Sequence, residues 1–207
     1  LDLAASGVTL NGGTLRLGTG GIVRDGTVNG KVNLGAVTVV AEGDWTSAVP
    51  MTLTGVNGSP RIDTQNYRVA LDGALSGAGG LVKAGLGTLY LNGTNTFTGP
   101  LVAESGTVSC GAGSQLNGVT EMIALGGKLA LNGTIGSSSL TLRLADTNSL
   151  SLPDGTELTV ARLYTNGVML AAGSYTFGGA TVTVSANTQI VWTGAANDGN
   201  LWSTTNN

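Results

Sequence analysis

The sequence has little charge, few aromatic residues, little proline, one cysteine and no histidine. Of its 207 residues, 10% are charged and 4% are aromatic, and there are four Pro. Without His, the commonest acid–base residue of enzymes is missing, a His-containing catalytic triad is impossible, and a zinc site has almost no ligands. The lone Cys110 cannot form an internal disulfide, so we expect a small, buried, apolar side chain there.

Charge and hydrophobicity exclude further classes. The net charge of −3 and the lack of a basic cluster argue against nucleic-acid binding. No apolar run is long enough to span a membrane as a helix. The apolar content of 41% is too high for a disordered linker, and the length suits a single domain with a substantial core. Because the chain starts at Leu1 without a signal peptide, we expect a processed chain or a fragment.

Glycine and short alternating segments dominate what is present. There are 35 Gly, many in Asn-Gly, Asp-Gly or Gly-Gly pairs that suit tight turns. Between them, apolar residues alternate with Thr or Ser, which predicts short strands, and no stretch shows helical spacing. The predicted strands are 14–17, 37–39, 51–54, 88–91, 129–131, 140–144, 157–160 and 181–184.

A Gly-x-Leu-x-Leu pattern recurs along the chain. It begins at Gly13, Gly87 and Gly127, and looser copies begin at Gly106 and Gly155. The copies at Gly87, Gly106 and Gly127 follow one another at a nearly constant step of about 20 residues. A repeat of this length made of strands and turns is typical of a solenoid, in which each unit buries its apolar face against its neighbours.

Two all-β architectures fit these strands. A β-sandwich also has short strands with frequent turns, but its strands need not resemble each other. The nearly constant repeat step therefore favours a parallel β-solenoid. The repeat is weaker over residues 18–75, so we expect irregular coils near the N-terminal part.

Residues 77–109 closely resemble the autotransporter-associated β-strand repeat, also called the passenger-associated transport repeat. The resemblance implies a right-handed parallel β-helix on the exterior of a bacterium. The segments 164–168 and 172–176 resemble the end of such a module. The matching residues are Gly80, Leu81, Lys83, Gly85, Gly87, Thr88, Leu89, Leu91, Gly93, Asn95, Thr96, Phe97, Thr98, Gly99, Gly106, Thr107 and Val108.

The alternation within this repeat suggests what several residues do. Leu89 and Leu91 are expected to face the core. Two roles are open for Asn95, which either caps backbone groups or forms a ladder with an Asn one coil away. Gly85 and Gly87 are expected at tight bends, because the phosphate-loop Lys-Ser/Thr and a following helix are both missing.

An enzyme is not favoured. Glu42 and Asp44 form the only close pair of acidic residues, whereas a glycosidase needs two suitably spaced carboxylates. We expect most carboxylates to be solvated or to cap turns. Trp45 is a candidate for stacking on a sugar ring, and Trp192 and Trp202 are more typical of packing in a terminal segment.

The sequence therefore predicts one β-solenoid domain over 1–191 and a terminal extension over 192–207. If Trp192 and Trp202 dock on a neighbouring subunit, the chain polymerises head to tail. We predict an extracellular structural protein of a stalk, filament or matrix, with no catalytic, metal or cofactor site. Expected partners are further copies of the chain and a surface polysaccharide. The alternative is a carbohydrate-binding or carbohydrate-active β-helix of an exported adhesin.

Overall fold

The computed structural model describes residues 7–24, 31–136 and 139–185 in full, and the backbone alone of 2–3, 189–191 and 203–205. Within these ranges the chain forms strands and a single turn of 3-10 helix, Thr147–Ser149, without an α-helix. No helix in the described part could therefore cross a membrane. The strands are β1 (Asp2–Leu3), β2 (Val8–Leu10), β3 (Thr14–Leu17), β4 (Val23–Arg24), β5 (Val32–Leu34), β6 (Thr38–Ala41), β7 (Trp45–Ser47), β8 (Met51–Leu53), β9 (Arg61–Asp63), β10 (Arg68–Leu71), β11 (Leu75–Ser76), β12 (Leu81–Ala84), β13 (Thr88–Leu91), β14 (Thr94–Asn95), β15 (Leu101–Ala103), β16 (Thr107–Cys110), β17 (Gln115–Leu116), β18 (Glu121–Ala124), β19 (Lys128–Leu131), β20 (Thr134–Ile135), β21 (Thr141–Leu144), β22 (Leu150–Ser151), β23 (Glu157–Val160), β24 (Arg162–Thr165), β25 (Val168–Met169), β26 (Gly173–Phe177), β27 (Ala180–Val184), β28 (Gln189–Val191) and β29 (Ser203–Thr205).

Along most of the chain, each strand pairs with the strand three positions earlier in the sequence, and this pairing defines the coils. Sheet A contains β2, β5, β8 and β11, and β14, β17 and β20 form a separate three-stranded sheet. Sheet B contains β3, β6, β9, β12, β15, β18, β21 and β24, all parallel, and sheet C contains β7, β10, β13, β16, β19 and β22. The eight parallel strands of sheet B correspond to about eight turns of a parallel β-solenoid, which confirms the predicted fold class.

The coils are longer and less uniform near the N-terminus. In sheet B, Thr14 pairs with Thr38 and Thr38 with Arg61. Further along, Val82 pairs with Val102 and Val102 with Ile123, so the partners lie closer together in sequence and each coil is a few residues shorter. Sheets A and B extend to the first coil, whereas sheet C begins only at β7 and β4 pairs with β1 in a separate two-stranded sheet, so the coils are irregular near the N-terminus as expected.

The recurring glycine pattern marks a corner of the coil, but it does not always mark the same corner. The copies that begin at Gly87, Gly106 and Gly127 lead into β13, β16 and β19, which pair in register in sheet C. The copy at Gly13 leads into β3 of sheet B, and the copy at Gly155 leads towards β23, which pairs with β27. The pattern therefore does not identify one corner along the whole chain, because each coil has several corners that need glycine before a strand.

The interior is one continuous apolar column. Along most strands, buried residues alternate with partly exposed ones, as in β13 and β16. Leu, Val, Ile and Met from the sheets meet inside, and each fully buried side chain of this kind contributes about 1.5–3 kcal/mol to folding. Burial in register from coil to coil is therefore the main source of stability.

Antiparallel strands occur near the C-terminal end of the described region. The strand β25 turns back on β24 through Asn166 and Gly167, both at positive φ. The hairpin of β26 and β27 packs on β23, with β27 parallel to it. These hairpins are the segments that the sequence likens to the end of a module.

Candidate functional site

The residues of the predicted repeat form about one and a half coils, from β12 to β16. Leu89 and Leu91 are fully buried, and Phe97 also lies in the core. Their neighbours Thr88 and Tyr90 are partly exposed on the outer surface of sheet C. The repeat therefore alternates core and surface positions, and its conspicuous residues serve the stacking of coils.

Glycines of the repeat lie where one coil touches the next. A Cβ added to Gly106, which has a φ of 64°, would collide with the carbonyl oxygens of Gly85 and Gly87. A Cβ on Gly87 would collide with the backbone of Tyr67 in the preceding coil. Added Cβ atoms at Gly85, Gly93 and Gly99 would also meet backbone atoms of the preceding coil.

Asn95 caps backbone groups inside the solenoid. It is fully buried, its Oδ1 accepts a hydrogen bond from the Leu75 amide at 3.0 Å, and its Nδ2 donates to the Gly93 carbonyl at 2.8 Å. The residue paired with it in the next coil is Leu116, so there is no Asn with which it could form a ladder. Of the two roles left open by the sequence, the structure shows capping. The adjacent Thr96 is exposed.

Lys83 has a structural role that sequence reasoning did not identify. It is 0% exposed, and its Nζ donates to the carbonyls of Ala84 and Gly85, both at 2.8 Å, and of Ser105 at 3.1 Å. All three ammonium protons therefore have acceptors. Since Ser105 belongs to the next coil, this one side chain joins the corners of two successive coils.

The position of Lys83 in the ladder explains how the stem fits. Lys83 pairs with Ile62 in the preceding coil and with Ala103 in the next, in an otherwise apolar inward column. The small Ala103 and the following Ala124 leave room for a long side chain. The sequence signal for this role is the spacing of Leu81 and Lys83. In a strand, residues two apart point to the same side, so an inward Leu81 implies an inward Lys83.

Burial lowers the pKa of Lys83 to about 8, although the nearby Asp63 carboxylate opposes this shift. Between pH 8 and about 10.4, the usual value for Lys, the unfolded chain binds a proton that the folded chain has lost. Stability should therefore rise with pH across this window, by up to about 3 kcal/mol relative to a variant without this amine.

The measurement is the free energy of unfolding of the wild type and of Lys83→Met, by urea titration at intervals from pH 7 to 10.5. As the pH rises, the free energy of unfolding of the wild type should increase relative to that of Lys83→Met. Lys128→Met removes an exposed lysine of β19 and serves as the control, with no such shift. Parallel pH profiles for the wild type and Lys83→Met would contradict the effect.

The other candidates from the sequence have structural surroundings. Trp45 is only 4% exposed in the core, so the suggestion that it stacks on a sugar is wrong. Cys110 is 1% exposed, as expected for a small apolar residue, and burial raises its pKa to about 12. The Glu42 carboxylate binds Arg16 at 3.3 Å, and the Asp44 carboxylate accepts the backbone amide of Arg68 at 2.8 Å.

Three further acidic residues bind groups of the chain itself. Glu104 binds Arg61 at 2.7 Å, across two coils, and Glu121 binds Arg143 at 2.6 Å in the next coil. The Asp146 carboxylate caps the 3-10 turn. In the described ranges no cluster of three potential metal ligands occurs. Trp192 and Trp202 lie outside the described residues, so their contact with another subunit stays a prediction.

Fold and repeat together define a parallel β-solenoid whose coils carry the glycine, lysine and asparagine contacts described above. Residues 81–109 match the family model of the passenger-associated-transport-repeat, which confirms the resemblance inferred from the sequence.

The chain is also 33% identical, over 127 residues, to the Adhesin BmaC autotransporter of Brucella suis biovar 1 (strain 1330). That similarity covers 60% of the chain but 4% of the relative, so the chain corresponds to a small part of that protein's length. No solved structure gives a significant match. The chain thus contains a passenger-associated transport repeat and is a distant homologue of part of an autotransporter adhesin.

Proposed function

We propose that the chain is a segment of the surface-exposed passenger of an autotransporter adhesin and that its role there is that of a structural stalk. The observation that carries this proposal is the stacking of about eight coils in register, with a passenger-associated transport repeat in their middle. The distant similarity to an autotransporter adhesin supports the same assignment.

The contacts between coils suit a stalk. Backbone hydrogen bonds run along the solenoid in parallel ladders, and burial in register adds an apolar column inside. Lys83 and Asn95 each join a coil to its neighbour through buried hydrogen bonds. On the surface, Arg61 reaches Glu104 across two coils. Because each coil holds the next, such a segment can carry a functional region away from the cell surface without an active site of its own.

A structural role also agrees with the use of the acidic residues. Glu42, Glu104 and Glu121 bind arginine side chains, and Asp44 and Asp146 bind backbone amides. Neither the matched family nor the relative is named for an enzymatic activity. These carboxylates have partners that need no substrate, which favours the stalk over a carbohydrate-active enzyme.

The test is a chimeric passenger in which this chain replaces the homologous stretch of the Brucella adhesin. Display on the cell surface is measured by antibody binding to an epitope placed immediately before the insert. We expect the wild-type chain to support display. A matched chimera with Leu89→Asp, which disrupts the core, should fail, whereas Thr88→Asp on the adjacent surface position should not. Failure of the wild-type chimera would refute the proposal if the isolated chain folds.

A further inference from the structure

An open polar cleft lies on the outside of the solenoid, where the first three strands of sheet B meet a protruding corner. We call it the Tyr67 cleft. Its volume is about 500 Å³, within the range of ligand sites in proteins. The lining residues come from three successive coils and are Arg16, Val40, Ala41, Glu42, Asp63, Gln65, Asn66 and Tyr67.

The floor of the cleft is set by strand register. Arg16 pairs with Val40, and Val40 pairs with Asp63, so these three side chains stand side by side on the outer face of β3, β6 and β9. The middle position is apolar and the two outer ones are charged. Glu42 binds Arg16 at 3.3 Å on one side of the cleft.

The wall is a corner that is longer than its neighbours. Four residues, 64–67, join β9 to β10, whereas three residues form the corresponding corners 42–44 and 85–87. Gln65 adopts a φ of 50°, which is unusual for a residue other than Gly. Its amide is held by the Asp63 carboxylate at 3.0 Å, and the Tyr67 amide donates to the Thr64 carbonyl at 2.7 Å.

This corner therefore has a defined shape, and it carries the aromatic ring of Tyr67 in a chain that has few aromatic residues. Tyr67 is 39% exposed and stands at the edge of the cleft. The side-chain amides of Gln65 and Asn66 also line the cleft and offer both hydrogen-bond donors and acceptors. Backbone strain of this kind concentrates at binding sites, and here it places the ring and the amides together.

We propose that the Tyr67 cleft binds a neutral oligosaccharide. A pyranose ring has an apolar C–H face, which packs on an aromatic ring, and vicinal hydroxyls, which bind planar amide, carboxylate and guanidinium groups in pairs. The cleft offers both kinds of surface, in the exposed Tyr67 ring and the polar side chains beside it. Arg16, the one cation among the lining residues, is paired with Glu42, and Asp63 is paired with Arg61 at 3.5 Å, so the cleft has no free positive charge to attract an anionic sugar.

This inference depends on the cleft alone and not on the stalk role, because it concerns the isolated chain in solution. The test is titration of the ¹⁵N-labelled full chain with four neutral disaccharides, lactose, maltose, cellobiose and N,N′-diacetylchitobiose, and with anionic digalacturonate. At least one neutral disaccharide should shift the amide signals of 64–67 in a saturable manner. Digalacturonate should bind more weakly than that sugar.

Variants locate the binding. Tyr67→Ala should weaken it about tenfold, the size expected for loss of one aromatic contact, and Tyr67→Trp should preserve it. Tyr90→Ala, which removes a tyrosine from sheet C outside the cleft, is the matched control and should change nothing. Asn66→Ala gives a second reduction if Tyr67→Ala disturbs the fold, which the same spectra report.

Three results would overturn the proposal. One is that no neutral disaccharide binds at about 10 mM, a concentration that would reveal even millimolar affinity. Another is equal affinity of the wild type, Tyr67→Ala and Asn66→Ala, which would place binding elsewhere. The third is tighter binding of digalacturonate than of every neutral sugar, which would assign the cleft to anionic glycans.

Discussion

Replacing Leu89 by Asp should remove a large part or all of the stability of the chain at neutral pH. Leu89 is 0% exposed and lies between Val69 of the preceding coil and Val108 of the next, in the centre of sheet C. An aspartate there would have no partner in an apolar column, and an unpaired buried charge costs several kcal/mol in addition to the lost apolar contact. We expect a loss of about 5 kcal/mol or more, against a typical total stability of about 5–15 kcal/mol.

The measurement is the far-ultraviolet circular dichroism spectrum and the urea midpoint of the variant beside the wild type. Thr88→Asp is the control, because Thr88 is the preceding residue of the same strand and points outward next to Arg68. The control should unfold close to the wild type. Cooperative unfolding of Leu89→Asp at the wild-type midpoint would show that this position is not in the core.

Gly106→Val should cause the second large loss, about 3–5 kcal/mol, through backbone strain and steric overlap. The residue has a φ of 64°, where a side chain with a Cβ is strained, and a β-branched one more so. The added Cβ would also overlap the carbonyl oxygens of Gly85 and Gly87 and lie 2.8 Å from the Lys83 Nζ. The coil that contains Gly106 would have to move away from the coil that contains Gly85 and Gly87, and the hydrogen bonds of the buried Lys83 would be disturbed.

Gly111→Ala is the matched control for this substitution. Gly106 precedes β16 and Gly111 follows it, but a Cβ on Gly111 meets only the Asn92 side chain, at an ordinary contact distance of 3.7 Å. We expect its unfolding free energy to stay within about 0.5 kcal/mol of the wild type. A similar small change for Gly106→Val, measured by the same urea titration, would mean that the coils are not closely stacked at this corner.

Much of the fold could be predicted because its local rules repeat. Alternation located the strands, and the steps from Gly87 to Gly106 and from Gly106 to Gly127 equal the register shifts between β13, β16 and β19 in sheet C. The same pattern at Gly13 leads into β3 of sheet B, because it indicates a tight corner followed by a strand and not which sheet the strand joins. The sheet that a strand joins is determined by its pairing with strands one coil away, which the local sequence does not contain.

The site was harder to predict, because its contacts join residues from different coils. The sequence suggests that Trp45 stacks on a sugar ring, but its strand alternates and the next residue, Thr46, is the exposed one. Lys83 was visible in the repeat, but its three acceptors were not, since the Ser105 carbonyl comes from another coil. The Tyr67 cleft depends on one extra residue in a corner, which matters only relative to the neighbouring coils.

The most direct test of the stacked solenoid is one distance along it. Thr46 of β7 and Ser151 of β22 stand in a single column of sheet C, five strand spacings apart through Ala70, Tyr90, Ser109 and Ala130. At about 4.8 Å per spacing, their backbones should lie about 24 Å apart.

Spin labels on Thr46→Cys and Ser151→Cys allow this distance to be measured by double electron–electron resonance. The native Cys110 stays unlabelled because it is buried and its pKa is raised to about 12, which keeps it a thiol at neutral pH. We predict a single narrow distribution centred at about 24 Å, widened by the label linkers. A broad distribution, or a distance below about 15 Å, would contradict the stacking of successive coils.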